Sequence, residues 1–279
     1  MRRMEGKTVV ITGPTSGIGK QIAIGLAGLG ANLVLGCRNA AAAKGMASEL
    51  SRASEAVSID VIQVDLASRG SIEEFVRQIL ERHARLDVLI NNAAVSRGSQ
   101  PLTKNAEGIE LTFATNVLGY FLTSRLLLPR LRESAPARIV NVASTFASDL
   151  DMDDLQFQRR PFESMKAYAQ SKACDRLLTW ALARRLEGSG VTANAMAPGL
   201  IVDTGLYRHT PPEVMERLRQ RGGGRTPSDG ADTAVWLASS PDMEGVTGKF
   251  FENRNEIPCQ FRNQDVEERL WSICESLAK

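Results

Sequence analysis

Tyr168-Ala-Gln-Ser-Lys172 places a phenol and a primary amine four residues apart. On a helix that spacing sets both groups on one face, one turn from each other. An ammonium beside a phenol favours the phenolate. It can draw a tyrosine, ordinarily near a pKa of ~10, toward a general acid/base range. Proton transfer to and from an alcohol or a carbonyl is the chemistry such a pair suits. Taken alone, the five residues fit a surface tyrosine beside a solvated lysine equally well.

A second constellation lies near the N-terminus. Thr12-Gly-Pro-Thr-Ser-Gly-Ile-Gly19 carries Gly13, Gly17 and Gly19 in the spacing G-x-x-x-G-x-G, between an apolar run and an amphipathic stretch. Small residues permit a tight turn in which the backbone of Thr15, Ser16, Gly17, Ile18 and Gly19 approaches a pyrophosphate. The helix that follows offers the positive end of its dipole. The spacing differs from G-x-G-x-x-G, and the strand–turn–helix context separates it from a merely structural turn.

The second apolar run ends Leu35-Gly-Cys-Arg-Asn39, without the carboxylate that NAD-preferring sites use to hold ribose hydroxyls. Arg38, about 20 residues past the glycines, can pair bidentately with a 2′-phosphate. This favours NADP(H) over NAD(H); the plain alternative is a solvated arginine at a strand end. Asp65, followed by Leu66, closes the third run and offers an acceptor for an adenine amino group. Asn91-Asn92-Ala93-Ala94 closes the fourth with amides and small residues. Either set could instead cap the helix that follows.

The elements that must position these groups alternate along the chain. Strands are predicted at Thr8–Thr12, Asn32–Cys37, Ile59–Asp65, Asp87–Asn91, Arg138–Val142, Val191–Met196 and Gly248–Phe251. Helices are predicted near residues 17–28, 40–53, 69–84, 107–133, 164–187, 212–220, 228–239 and 264–278. Alternation of this kind implies parallel βαβ units, and continuous apolar strands imply a sheet covered on both faces. The predicted fold is α/β, a single-domain doubly wound parallel sheet of about seven strands over residues 1–279. Residues 145–163 and 199–227 interrupt the rhythm after the fifth and sixth strands, and 252–279 forms a C-terminal extension. The first interruption carries Asp149, Asp151, Asp153, Asp154, Arg159, Arg160 and Pro161. The second carries Pro211-Pro212 and Gly222-Gly-Gly224. Both leave the carboxyl ends of strands, where open α/β sheets bind ligands; otherwise they are surface insertions.

Composition excludes several classes. Hydrophobic residues make up 43% of 279, which supports a large buried core. With 34 basic and 32 acidic residues the net charge is +2, which gives no footprint for nucleic acid or an anionic membrane. Cys37, Cys174, Cys259 and Cys274 follow no ligand spacing, and with only two histidines a metal site is not expected. Four unpaired thiols suit a reducing, cytoplasmic compartment. Met1-Arg-Arg-Met runs into a strand rather than a signal sequence, and no apolar run reaches the ~18–20 residues of a membrane helix.

These motifs together resemble the short-chain dehydrogenase/reductases of the single-domain, Rossmann type, over nearly the whole chain. The glycine turn, Asn91–Ala94, Asn116, Ser144, Tyr168-x-x-x-Lys172 and Pro198-Gly199 with Thr204 stand in that family's order. Cys37-Arg38, the 24-residue gap from Ser144 to Tyr168 and Gly245–Phe251 are similar to the retinol-dehydrogenase-like branch. The departures are Ala94 for a usual glycine and Pro14 within the turn.

The resemblance implies Tyr168 as the general acid of carbonyl reduction and the base of alcohol oxidation. It implies Lys172 as the residue that holds the nicotinamide ribose and lowers the Tyr168 pKa. Ser144 would donate to the substrate oxygen, and Asn116 would hold a water that connects Lys172 to solvent. Pro198, Gly199, Ile201 and Thr204 would pack on the nicotinamide, with 200–227 closing over the substrate. Ser144 could equally cap a helix, and Asn116 could be a buried amide satisfied by backbone.

Phe146, Leu150, Leu200, Ile201, Leu206 and Tyr207 suggest an apolar wall for a hydrophobic aldehyde, ketone or alcohol, unless they pack against each other. Two other readings keep the fold: a non-catalytic NADP(H)-binding regulator, and an isomerase or dehydratase that uses the nicotinamide internally. Relatives pair through their long helices, so a homodimer or homotetramer is expected, unless the segment after Phe251, with Trp271, covers those faces.

Overall fold

A computed structural model of the chain describes residues 3–53, 57–148, 150–221, 224–259 and 261–279. Met1, Arg2, Asp149, Gly222 and Gly223, singled out above, lie outside the described residues. The order is β1 (Thr8–Thr12), α1 (Gly17–Gly28), β2 (Asn32–Cys37), α2 (Ala40–Ala53), β3 (Ile59–Gln63), α3 (Arg69–Arg82) and β4 (Val88–Asn91). Next come α4 (Leu111–Phe113), a π turn (Ala114–Leu118), α5 (Gly119–Glu133), β5 (Ala137–Val142), α6 (Ser164–Arg185) and β6 (Val191–Ala197). The chain continues with α7 (Pro212–Arg221), α8 (Pro227–Ser239), β7 (Phe250–Glu252), β8 (Asn255–Glu256) and α9 (Gln264–Leu277).

The strands form one sheet in the order β3-β2-β1-β4-β5-β6-β7-β8. All neighbours are parallel except β7 and β8. In register, Val9 lies beside Leu33 on one side and Val88 on the other. Every residue of β1 is buried, because helices cover both faces. Ile22 and Leu26 of α1, Met46 of α2 and Leu237 of α8 fill one side. Phe75 and Ile79 of α3, Phe113, Leu127 of α5 and Leu177 of α6 fill the other. Each such side chain contributes about 1.5–3 kcal/mol by leaving water. The strand order reverses between β1 and β4, so a crevice opens at their carboxyl ends.

α9 forms a further layer. Leu270 and Cys274 are fully buried, and the Trp271 ring meets Phe121 of α5 edge-on at 4.9 Å between centroids. Arg184 of α6 pairs with Glu267 and Glu268, and Arg185 with Glu268. α9 thus lies along α6 and reaches α5 through Trp271.

Three differences from expectation have local causes. The long helix begins at Leu111 rather than 107, because the Glu110 carboxylate accepts from the N–H groups of Thr112 and Phe113, each at 2.7 Å. β7 begins at Phe250, because Gly248 sits at φ 68 and ends extended geometry. Leu111–Glu133 is long and apolar enough, at a mean hydropathy of 1.2, to cross a membrane, contrary to the expectation. Here 78% of that window is buried inside the fold, which is how a core helix meets the same test.

Candidate active site

The glycine turn is shaped by contacts that leave no room for side chains. Gly13 and Gly17 adopt φ 68 and 54, the left-handed region that favours glycine. A Cβ on Gly19 would lie 2.2 Å from the Gly13 carbonyl oxygen and 2.4 Å from Asn92 Nδ2. Asn92 closes the turn from the other side: Nδ2 donates to the carbonyls of Thr12 and Gly13 at 2.9 and 3.1 Å, and its own N–H donates to Thr12 Oγ1 at 3.0 Å. Ser16 precedes α1 without capping it through its side chain, and no acidic residue occupies the first turn. The first N–H groups of α1 therefore face the crevice with their dipole uncompensated, a ready anion site.

A cleft of about 700 Å3 runs along the carboxyl ends of β1, β2, β4, β5 and β6. One end is lined by Thr15–Gly19, Arg38, Asp65 and Leu66. The middle is lined by Asn92–Ala94, and the far end by Ser144, Tyr168, Lys172, Pro198–Ile201 and Thr204. Every residue predicted to hold the cofactor or do chemistry, except Asn116, reaches this cleft. Arg38 is exposed and makes no ion pair among the described residues. Asp65 uses Oδ1 to accept from the Ala67 N–H at 3.0 Å, which leaves Oδ2 toward the cleft. Thr204 packs over the turn: a Cβ on Gly17 would stand 3.1 Å from Thr204 Cβ. A nucleotide-sized groove with bare N–H groups at one end and a hydroxyl, phenol and ammonium at the other fits a dinucleotide.

At the far end, the Ser144 hydroxyl and the Tyr168 phenol both line the cleft, and Ser144 acts on the phenol so as to lower its pKa. Ser144 Oγ also accepts from the Phe146 N–H at 3.0 Å, and Phe146 stacks on Tyr168 with centroids 6.5 Å apart. The Lys172 ammonium is buried. It donates to the Val142 carbonyl at 2.9 Å and pairs with Asp175 Oδ2 at 2.8 Å.

Residues 7–214 match the family model of the short chain dehydrogenases. The chain belongs to that family. It is 39% identical to retinol dehydrogenase 14 of Homo sapiens, over 98% of this chain and 86% of that relative. It is 37% identical to the polyprenol dehydrogenase of Homo sapiens, over 95% and 83% respectively. These likenesses put it in the retinol-dehydrogenase-like branch. Among solved structures, the Pseudomonas aeruginosa RhlG/NADP active-site complex is similar with a TM-score of 0.73, at 30% identity over 90% of this chain and 96% of that one. The chain is therefore an oxidoreductase of the short chain dehydrogenase family, and its cleft is the family's place for a nicotinamide cofactor.

Against that family background, two expectations need correction, and one is qualified. Tyr168 was expected to be acidified by Lys172 with the oxidised nicotinamide. In the chain by itself the phenol is held above the ordinary tyrosine value, first by burial, then by Tyr207 and by Asp175, with Ser144 opposing. The ring is part-exposed where it lines the cleft. The ammonium that would favour the phenolate is shared with Asp175.

Asn116 was expected to hold a water near Lys172. Its Oδ1 accepts from the Val95 N–H at 2.8 Å, and its Nδ2 donates to the Val95 carbonyl and to Ser171 Oγ, each at 3.0 Å. The amide serves as a brace between the π turn and Val95.

Leu150 was placed in the substrate wall, but it packs on the core. Phe146, Leu200, Ile201, Leu206 and Tyr207 do line the cleft, joined by Met165 and by Leu218 and Arg221 of α7. The segment beyond Leu150 folds back on Asp154, whose carboxylate accepts from the N–H groups of Gln158, Arg159 and Arg160.

Sequence reasoning passed over Asp175 and the pocket residues Leu218 and Arg221 of α7. Asp175 carried a signal: it stands at i+7 from Tyr168 and i+3 from Lys172, on the same helical face. The pocket residues of α7 carried none beyond their position in a loop already marked as substrate-facing.

Proposed function

We propose that this chain is an NADP(H)-dependent oxidoreductase that interconverts a hydrophobic aldehyde or ketone with its alcohol. The observation that carries the reading is the meeting of Tyr168, Ser144 and Lys172 at one end of a cleft whose other end presents Arg38 and the bare N-terminus of α1. In reduction, Tyr168 donates its phenolic proton to the substrate oxygen; in oxidation the phenolate takes it back. Ser144, beside the phenol in the cleft, donates to the same oxygen and steadies the charge that develops there. Lys172 holds the ribose hydroxyls and supplies positive charge beside Tyr168. Arg38, free of a carboxylate partner, receives the 2′-phosphate. When bound, the cofactor supplies or accepts the hydride.

The substrate end is walled by Phe146, Met165, Leu206 and Leu218. That wall, and relatives named for retinol and a polyprenol, support a long apolar substrate. The four free cysteines support a reducing, cytoplasmic setting. With α9 lying on α5 and α6, the chain works as a monomer.

The test is NADPH consumption over a panel of hydrophobic aldehydes, repeated with the Tyr168→Phe variant. Turnover that falls at least ~100-fold in the variant supports the reading. Full activity without the phenol overturns it.

A further inference from the structure

Tyr168, Lys172 and Asp175 fall at i, i+4 and i+7 on α6, so one helical face carries a phenol, an ammonium and a carboxylate in sequence. Asp175 is buried. Its Oδ2 binds the Lys172 ammonium at 2.8 Å, while Oδ1 has no hydrogen-bond partner among the described residues. Asp175 also lines a second, small cavity of about 20 Å3 between α5, α6, β5 and α9, with Tyr120, Ser124, Arg125, Asn141 and Trp271. That space is about the size of one water and is lined mostly by apolar surface, so the carboxylate is left with Lys172 as its partner.

The titratable groups packed round the carboxylate are Lys172, Tyr168 and Cys174 on α6, Tyr120 and Arg125 on α5, and Cys274 on α9. The phenol of Tyr120 and the thiols of Cys174 and Cys274 are all held in their neutral forms, burial being the first cause in each. Arg125 is exposed at the rim. Lys172 is the buried charge that answers Asp175. The same ammonium lies 5.0 Å from the centre of the Tyr120 ring and reaches the cofactor cleft.

We propose that Asp175 is a positioning residue that holds Lys172 and offsets its charge, and so sets the pH range in which Tyr168 transfers its proton. The inference rests on the proposed role of Tyr168. A lone ammonium one turn away would favour the phenolate. A carboxylate on the far side of that ammonium returns part of the effect and keeps Tyr168 protonated at neutral pH, the form that reduction requires. Burial pushes the Asp175 carboxyl up to about 6, against the pull of Lys172, so it still carries its charge at neutral pH. Seven residues of helix separate Asp175 from Tyr168 by about 10 Å. At that distance, with an effective dielectric of about 20, one charge moves a pKa by about one unit.

The experiment is the pH profile of kcat/KM for alcohol oxidation at saturating NADP+, in the wild type and in Asp175→Asn. Removal of the negative charge favours the phenolate, so the acid limb moves to lower pH by about one unit. The variant then oxidises about tenfold faster below the wild-type limb. Superimposed limbs in a variant that melts cooperatively overturn the proposal.

Should Asp175→Asn fail to fold, Asp175→Ser, which removes the charge and leaves room for a water, takes its place in the same profile. An acid limb that moves to lower pH supports the proposal; a limb superimposed on the wild type overturns it. The two readings fail separately. Full activity of Tyr168→Phe sinks the proposed function, whereas an unmoved limb with Tyr168→Phe inactive sinks only the role of Asp175.

Discussion

Replacing Gly19 by alanine tests whether this glycine serves the fold or only the ligand. In an ordinary helix the change gains about 0.8–1 kcal/mol, because alanine is the better helix former. Here the new methyl would stand 2.2 Å from the Gly13 carbonyl oxygen and 2.4 Å from Asn92 Nδ2. The first is backbone; the second is an amide held by two hydrogen bonds to Thr12 and Gly13. Displacing the amide loses about 1–3 kcal/mol for the two bonds, and forcing an atom into packed space costs about 1–3 kcal/mol more. Net of the helix gain, the loss is about 3 kcal/mol. With an unfolding entropy of about 2.1 cal/mol/K per residue, 279 residues give about 0.6 kcal/mol/K. The melting midpoint should therefore fall by about 5 °C without any cofactor present, by calorimetry or circular dichroism. A Gly19→Ala protein that melts at or above the wild type would refute the contact geometry. A loss visible only with cofactor bound would mean that the glycine serves pyrophosphate approach alone.

Other outcomes follow from particular contacts. Arg38→Ala should lower kcat/KM with NADPH by about 10–100-fold and leave NADH nearly unchanged, since a charged hydrogen-bond pair is worth about 1.5–3 kcal/mol; equal losses with both cofactors would refute the phosphate role. Sedimentation equilibrium should give the monomer mass of 30.3 kDa, and a stable dimer would show that assembly uses a surface other than the α9-covered face. Under brief iodoacetamide treatment, mass spectrometry should find Cys259 modified first. Cys37, Cys174 and Cys274 are buried, with thiols raised chiefly by that burial; early labelling of Cys174 would contradict the packing under α9.

Much of the fold was legible because its signals are local. Thr-Val-Val-Ile-Thr reads as a doubly covered strand, and Gly13 and Gly17 mark a turn that needs left-handed backbone. The chemical site was legible where its members lie on one short segment, as Tyr168 and Lys172 do. What escaped depends on partners distant in the chain. Asn116 is consumed by Val95, 21 residues away, and nothing in Ala-Thr-Asn-Val announces that. Leu150 turned to the core because Asp154 and Gln170 pin the loop behind it. The acidifying effect expected of Lys172 assumed a lone, solvated pair; burial acts against it first, and Tyr207 and Asp175 add to that. The docking of α9 needed Phe121 and Trp271 to meet, across 150 positions of sequence.

That docking has a consequence for how the protein comes to exist. All eight strands precede α9 in the chain, so on the ribosome the sheet and both helical layers can assemble while the outer side of α6 is still bare. Until Leu270 and Cys274 emerge, that side offers a continuous oily stripe beside the buried Lys172–Asp175 pair. Water would then reach an ion pair that the finished molecule keeps dry. The ion pair beside Tyr168 therefore reaches its dry setting only once α9 has docked on α6.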